Sequence, residues 1–121
     1  MLNISNLHAN IGDVKILNGV DLEIGKGDLH AVMGPNGSGK STLCHVLMGN
    51  PDFNADGEAT LNGSEILGKP QFERAEDGIF QSYQYPVGLP GVSLMEFVMA
   101  SIDGLNEDEI ISVAKKFNVE E

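Results

Sequence analysis

Gly34, Gly37, Gly39, Lys40 and Ser41 stand in the run Gly34-Pro35-Asn36-Gly37-Ser38-Gly39-Lys40-Ser41-Thr42, and Gly34 to Ser41 matches the spacing G-x-x-x-x-G-K-[ST]. Residues of these types in this order cradle a polyphosphate. Such a ligand brings several negative charges on closely spaced oxygens and needs many donors that approach without side-chain collisions. Glycines at 34, 37 and 39 remove Cβ atoms and permit positive φ, so successive backbone N–H groups turn toward one centre. Lys40 adds a flexible point charge for the outer phosphates. Ser41 offers a hydroxyl oxygen to Mg²⁺, and Thr42 a second hydroxyl at the same helix start. With this glycine content a chance match is on the order of one in a hundred chains, so composition alone does not explain the motif.

The neighbouring residues supply what must hold the loop. Leu29, Ala31, Val32 and Met33 predict a buried strand feeding it, and Leu43, Val46 and Leu47 fall on one face of a helix leaving it from about Gly39. That helix aims unpaired N–H groups and its positive dipole end at the same anion. Gly49 is its C′ residue, and Pro51 follows the stop. Upstream, Leu2, Ile4 and Leu7 alternate with polar residues, Gly12-Asp13 turns, Val14 to Leu17 returns, and Val20, Leu22 and Ile24 alternate again before Gly25-Lys26-Gly27. Short antiparallel strands with tight turns are the economical reading. Downstream, 52–57 reads as a polar turn, and Asn62-Gly63 joins strands at Glu58 to Leu61 and Ser64 to Leu67. A short helix after Pro70 runs through Phe72 and Ala75 to Gly78. Ile79, Phe80 and Tyr83 predict a strand ending at Gln84. Residues 85–92 form a non-repetitive loop. Ser93 with Glu96 opens a helix through Leu94, Phe97, Val98 and Ile102. Asn106 with Glu109 opens another, carrying Ile110, Val113 and Phe117 on one face.

The 121 residues make one domain or part of one. A net charge of −11, from 18 acidic residues against 7 Lys and Arg, repels nucleic acid and anionic membrane surfaces. No basic cluster exceeds Lys115-Lys116. One cysteine, Cys44, allows no internal disulfide and is read as a small core residue on the loop helix. No apolar run reaches the length of a membrane span, so a soluble cytoplasmic protein is expected. His8, His30 and His45 lack ligand spacing, and His30 is read as a hydrogen-bonded structural residue. The acids Glu107, Asp108 and Glu109 suit a helix N-terminus.

The order of these features resembles the nucleotide-binding domain of ABC-type ATPases, in which an antiparallel β-subdomain precedes the phosphate loop and a glutamine-ended strand leads into a helical region. Gly78-Ile79-Phe80 with Tyr83-Gln84-Tyr85-Pro86-Val87-Gly88-Leu89-Pro90-Gly91-Val92, together with Leu29-His30-Ala31-Val32-Met33, is more narrowly similar to the ATPase subunit of the SUF iron–sulfur cluster assembly system. The likeness covers essentially all 121 residues but only the first half of such a domain. It implies an α/β fold: a P-loop NTPase core of ABC type with an N-terminal antiparallel β-subdomain, truncated before the signature helix and the acidic strand. Residues 1–121 are then the N-terminal part of one domain.

The resemblance also implies roles. The backbone of Gly34, Pro35, Asn36, Gly37, Ser38 and Gly39, with Lys40, Ser41 and Thr42, would hold ATP and Mg²⁺. Gln84 would give its amide oxygen to the metal and place the attacking water, which makes Lys40 and Gln84 the catalytic pair. The loop after Gln84 would meet scaffold proteins of the SufB/SufD type and report nucleotide state. The complete form would dimerise on ATP. Many ABC ATPases stack adenine on an aromatic ahead of a Gly-Asp turn; Ile11 stands there instead, which implies looser apolar contact from Ile11 or Val14. The acidic strand end, the signature helix and the switch histidine would all follow Gln84, and none is found by Glu121. Phe97 to Asp103 imitates an apolar strand ending in Asp, but its capping box makes it a helix. Leu61-Asn62-Gly63-Ser64-Glu65 imitates a signature motif in a hairpin context. Two other readings remain: the ATPase subunit of an ABC membrane transporter, and a short non-catalytic nucleotide- or partner-binding module. In the resembling fold, strands of the second half flank the phosphate-loop strand, so this chain is expected to expose edges and to self-associate.

Overall fold

Alternating apolar residues and two tight turns build a sheet from the first third of the chain and a returning strand. The computed structural model describes residues 1–85, 88–102 and 104–117. In it, β1 (Leu2–Ile11) and β2 (Val14–Ile24) pair antiparallel across the Gly12-Asp13 turn. They form one long ribbon in place of several short strands. After helix α1 (Lys40–Met48), β3 (Asn54–Leu61) adds to the free side of β1, and β4 (Ser64–Glu65) closes a four-stranded antiparallel sheet of order β2-β1-β3-β4. Asn62 and Gly63, with φ of +51° and +84°, make the expected hairpin turn, since both central residues of such a turn need positive φ. The sequence placed a turn at 52–57, yet β3 already begins at Asn54, because Asn54 to Asp56 pair with His8 to Asn10. The ladder outweighs their low strand propensity. β4 stops two residues early, as Ile66 turns inward to become fully buried.

The compact unit Met1–Ser82 holds one core. Ile4, Leu7, Ala9, Leu17 and Ala59 line one sheet face, Leu43 and Val46 of α1 cover it, and Ile66 seals the end. Helix α2 (Gln71–Glu76) follows. Two expected strands do not form. Residues 28–35 and 79–83 carry no strand pairing, and the side chains of Leu29 and Met33 are 98% and 87% exposed, that of Phe80 88%. An apolar run specifies burial, but a strand also needs lateral neighbours for its N–H and C=O groups. Among the described residues no strand pairs with either segment. His30 accordingly sits outside any strand, its Nε2 4.0 Å from Asp28 Oδ2.

One seam crosses the sheet. Asn6 of β1 has φ +47°, and the register shifts around it on both sides, between Ile4 and Leu7 against β2 and between Ser5 and His8 against β3. Its N–H is drawn to Asp21 Oδ1 at 2.8 Å. Glycines flank it on both neighbours: a Cβ on Gly57 (φ +117°) would lie 2.5 Å from Asn6 O, and one on Gly19 (φ +74°) 3.1 Å from Asn6 Oδ1. Gly57→Ala therefore meets backbone in a conformation that L residues avoid, and is expected to lose about 3 kcal/mol of stability. Urea denaturation of the variant beside wild type checks this.

The unit Tyr83–Glu121 carries α3 (Leu94–Ser101) and α4 (Glu107–Lys116). Both open on the expected capping boxes, Ser93 with Glu96 and Asn106 with Glu109, and α3 ends one residue before Ile102. Neither helix contains a buried residue. Pro86 and Val87 of the loop expected to meet a scaffold, Asp103 of the strand mimic, and residues 118–121 lie outside the described residues. Hydrogen bonds from the Ser93 backbone N–H and then its hydroxyl hold the Glu96 carboxyl below the usual glutamate range. A lowered folded-state value means that the cap is fully present above the ordinary glutamate pKa and is lost as pH falls through the lowered one. Amide NMR signals at the start of α3 are expected to move in that acid window, and Glu96→Gln to remove the movement.

Candidate nucleotide-binding site

The loop between β2 and α1 is shaped by its glycines and tied by its lysine. Gly37 and Gly39 adopt φ of +81° and +91°, the left-handed turns that let main-chain N–H groups converge. Gly34 does not share this. Its φ is not positive, and what it supplies is room: a Cβ there would sit 2.8 Å from Ser38 Oγ. Gly39 has a second duty, since its Cβ would lie 2.9 Å from the buried Leu17 Cδ2 of β2. The absence of one methyl thus seats the loop against the sheet. Ser38 N–H donates to Pro35 O at 3.3 Å and closes the turn over Asn36 and Gly37.

Lys40 opens α1 and folds back over the loop. Its Nζ donates to Gly34 O at 2.8 Å and Pro35 O at 2.7 Å, and lies 3.4 Å from Ser38 Oγ. Ser41 is exposed and Thr42 half-buried one step on. The N-terminus of α1 is left open to a ligand. Gly39 precedes it with no side-chain cap and no acidic residue stands in its first turn, whereas α3 and α4 fill the same position with a capping box. The first-turn N–H groups have no intrahelical acceptor, so they face outward with the positive end of the helix dipole. This donor set, a hard hydroxyl oxygen beside an ammonium and uncapped amides, fits a Mg²⁺-bound polyphosphate.

Leu43 and Val46 are buried as the spacing predicts, with Leu47 packed against them. Cys44 is not: it is exposed, because it lies off the stripe that faces the sheet. His45 stacks on Phe53 with ring centroids 6.1 Å apart. The far end of α1 closes as expected at Gly49 (φ +78°), with Gly49 N–H donating to Val46 O and Asn50 N–H to His45 O, each at 3.0 Å. Those paired bonds are the Schellman arrangement. Ile11 and Val14 face each other at the β1–β2 tip, both exposed. Gln84 belongs to the second compact unit and is exposed there.

Arg74 was not legible in the sequence. On α2 the apolar Phe72 and Ala75 are exposed, while Arg74 is 4% exposed. Its Nε donates to Lys69 O at 2.8 Å, Nη1 to Val46 O at 2.8 Å and Leu47 O at 3.0 Å, and Nη2 to Leu67 O at 2.7 Å. Burial pushes the guanidinium below the usual arginine value, partly opposed by the Glu65 carboxylate. The one signal available was Gly49: a helix-ending glycine leaves open the space that the guanidinium fills, where a Cβ would sit 2.9 Å from Arg74 Cζ.

The ABC transporter family model matches residues 17–121. The chain is 44% identical over 115 residues to the probable ATP-dependent transporter ycf16 of Trieres chinensis, covering 91% of this chain and 46% of that protein. It is 42% identical over 106 residues to the probable ATP-dependent transporter SufC of Escherichia coli K12, covering 87% and 43%. With vegetative protein 296 of Bacillus subtilis it shares 44% over 108 residues, covering 88% and 41%. It spans less than half the length of these curated relatives. With the family match running from β2 through the phosphate loop to the last residue, the chain belongs to the ABC transporter family.

Proposed function

We propose that the chain binds Mg-ATP through Gly34 to Thr42, as the N-terminal part of one ABC-type nucleotide-binding domain. In its whole form that domain couples ATP binding and hydrolysis to iron–sulfur cluster assembly. The observation that carries the reading is the uncapped start of α1, with Lys40 Nζ within 2.8 Å of Gly34 O and left-handed glycines at 37 and 39. Main-chain amides of the loop and first turn would bind the phosphates, and Lys40 would turn from its own carbonyls to the outer oxygens. Ser41 would hold Mg²⁺, and for Gln84 the resemblance implies a metal-binding and water-placing role. The metal supplies charge neutralisation on the outer phosphates. Ile11 and Val14, exposed at the hairpin tip, would give adenine loose apolar contact.

The partner reading is supported by the Tyr83 to Val92 sequence and by the relative named SufC. Scaffold proteins of the SufB/SufD type would meet the loop after Gln84, in the cytoplasm, and the complete protein would dimerise on ATP. No helix among the described residues is long and apolar enough to cross a membrane. A transporter reading is favoured by the word that the relatives' names share; there the same loop would face a membrane-domain helix. Calorimetric titration with Mg-ATP, read beside amide NMR of residues 34–42, tests the binding. Shifts confined to that ring are expected, and unmoved signals at millimolar Mg-ATP overturn the reading. Pull-down with scaffold proteins against transporter membrane domains separates the partners.

A further inference from the structure

We infer that Arg74 is a positioning residue for the phosphate loop: by gripping the C-terminal carbonyls of α1 from α2, it fixes the helix whose opposite end receives the nucleotide. The inference rests on the nucleotide reading above and deepens it.

Four carbonyl oxygens from two stretches of chain converge on one guanidinium. Val46 and Leu47 belong to the last turn of α1, where the helix runs out of i+4 donors, and Val46 O also accepts from Gly49 N–H at 3.0 Å. Leu67 and Lys69 belong to the stretch entering α2. A planar fork with five N–H donors spans such a set, whereas an ammonium is a single point. The α2 backbone extends the link, since Arg74 O accepts from Ile79 N–H at 3.0 Å. Burying a charge is costly unless it is well hydrogen-bonded, as the four bonds here provide, and an opposite potential is near. Here the negative end of the α1 dipole supplies that potential, and Glu65 adds to it. The fit is tight from the far side too, because a Cβ on Gly49 would lie 2.9 Å from Cζ and Nε. The helix is only nine residues long, Lys40–Met48, so a tilt set at Leu47 is carried to Lys40 within about two turns. Its other restraints are Leu43 and Val46 in the core and the close seat of Gly39 on Leu17.

The test compares Arg74→Met and Arg74→Lys with wild type at 10 °C, after circular dichroism confirms that each is folded. Mg-ATP affinity and the nucleotide-free amide shifts of residues 37–41 are measured. Arg74→Met is expected to weaken binding about tenfold and to move those amides. Arg74→Lys is expected to restore only part of the affinity. A merely structural arginine would lower the melting temperature while leaving affinity and the loop amides of the folded protein unchanged, and that result overturns the inference. Wild-type affinity in Arg74→Lys does the same. Should Arg74→Met not fold, Gly49→Ala approaches from the other side: its methyl crowds the guanidinium and is expected to weaken binding about threefold, and unchanged affinity again counts against the inference. If wild type itself fails to bind Mg-ATP, it is the function reading that has failed, and the positioning role falls with it.

Discussion

Lys40→Ala is expected to lower Mg-ATP affinity by about a hundredfold. Two effects compound. A charge-assisted contact from an ammonium to phosphate is worth about 1.5–3 kcal/mol, or roughly ten- to 150-fold in affinity. In a chain of net charge −11, Lys40 is the only Lys or Arg among the described residues whose side chain hydrogen-bonds to the loop. The same Nζ also ties Gly34 O and Pro35 O together, so alanine unlaces the loop before any ligand arrives. Lys40→Arg keeps the charge but cannot fold its wider planar head onto both carbonyls, and recovers little. Isothermal titration at fixed salt reads the effect. An affinity within threefold of wild type would mean that the amides act without the ammonium.

The second large effect is an absence of turnover. Phosphoryl transfer depends on positioning and on charges aimed at the transition state, and losing one such group lowers the rate by about a hundred- to a thousandfold. The resemblance places the acidic strand end, the signature helix and the switch histidine after Gln84, and the expectation is that residues 85–121 supply none of them. Phosphate release by the purified chain is therefore expected to stay at background even with ATP bound. Sustained release that disappears in Lys40→Ala would overturn this account and would point to a complete site of another design.

The features readable in the sequence were those set by near neighbours. Ser93 with Glu96 and Asn106 with Glu109 each close a reciprocal cap within four residues, and Asn62-Gly63 needs only its own two backbones. Glycine, lysine and serine at 34–41 likewise act on one short turn. Elements that depend on distant partners were misread. The hydropathy of Leu29 to Met33 is that of an inner strand, but hydropathy does not name the strand that must lie beside it. The start of β3 at Asn54 was missed because its pairing with Asn10 reaches across forty-odd positions. Arg74 was hidden for the opposite reason: polarity gives no cause to bury it, and only the three-dimensional meeting of four carbonyls makes a charged residue the better occupant.

The pinch at Asn6, Gly19 and Gly57 has a bearing on how the ribbon closes. The irregular points at Asn6, Gly19 and Gly57 lie side by side across three strands, with one further shift of β1 against β2 between Ala9 and Asn10. Sliding either neighbour by a position would set a side chain against an Asn6 oxygen that now faces a glycine, and would also turn Leu17 of β2 or Ala59 of β3 away from the core. The sheet thus works like a notched key, in which a misaligned hairpin is penalised at the notch and again at the core.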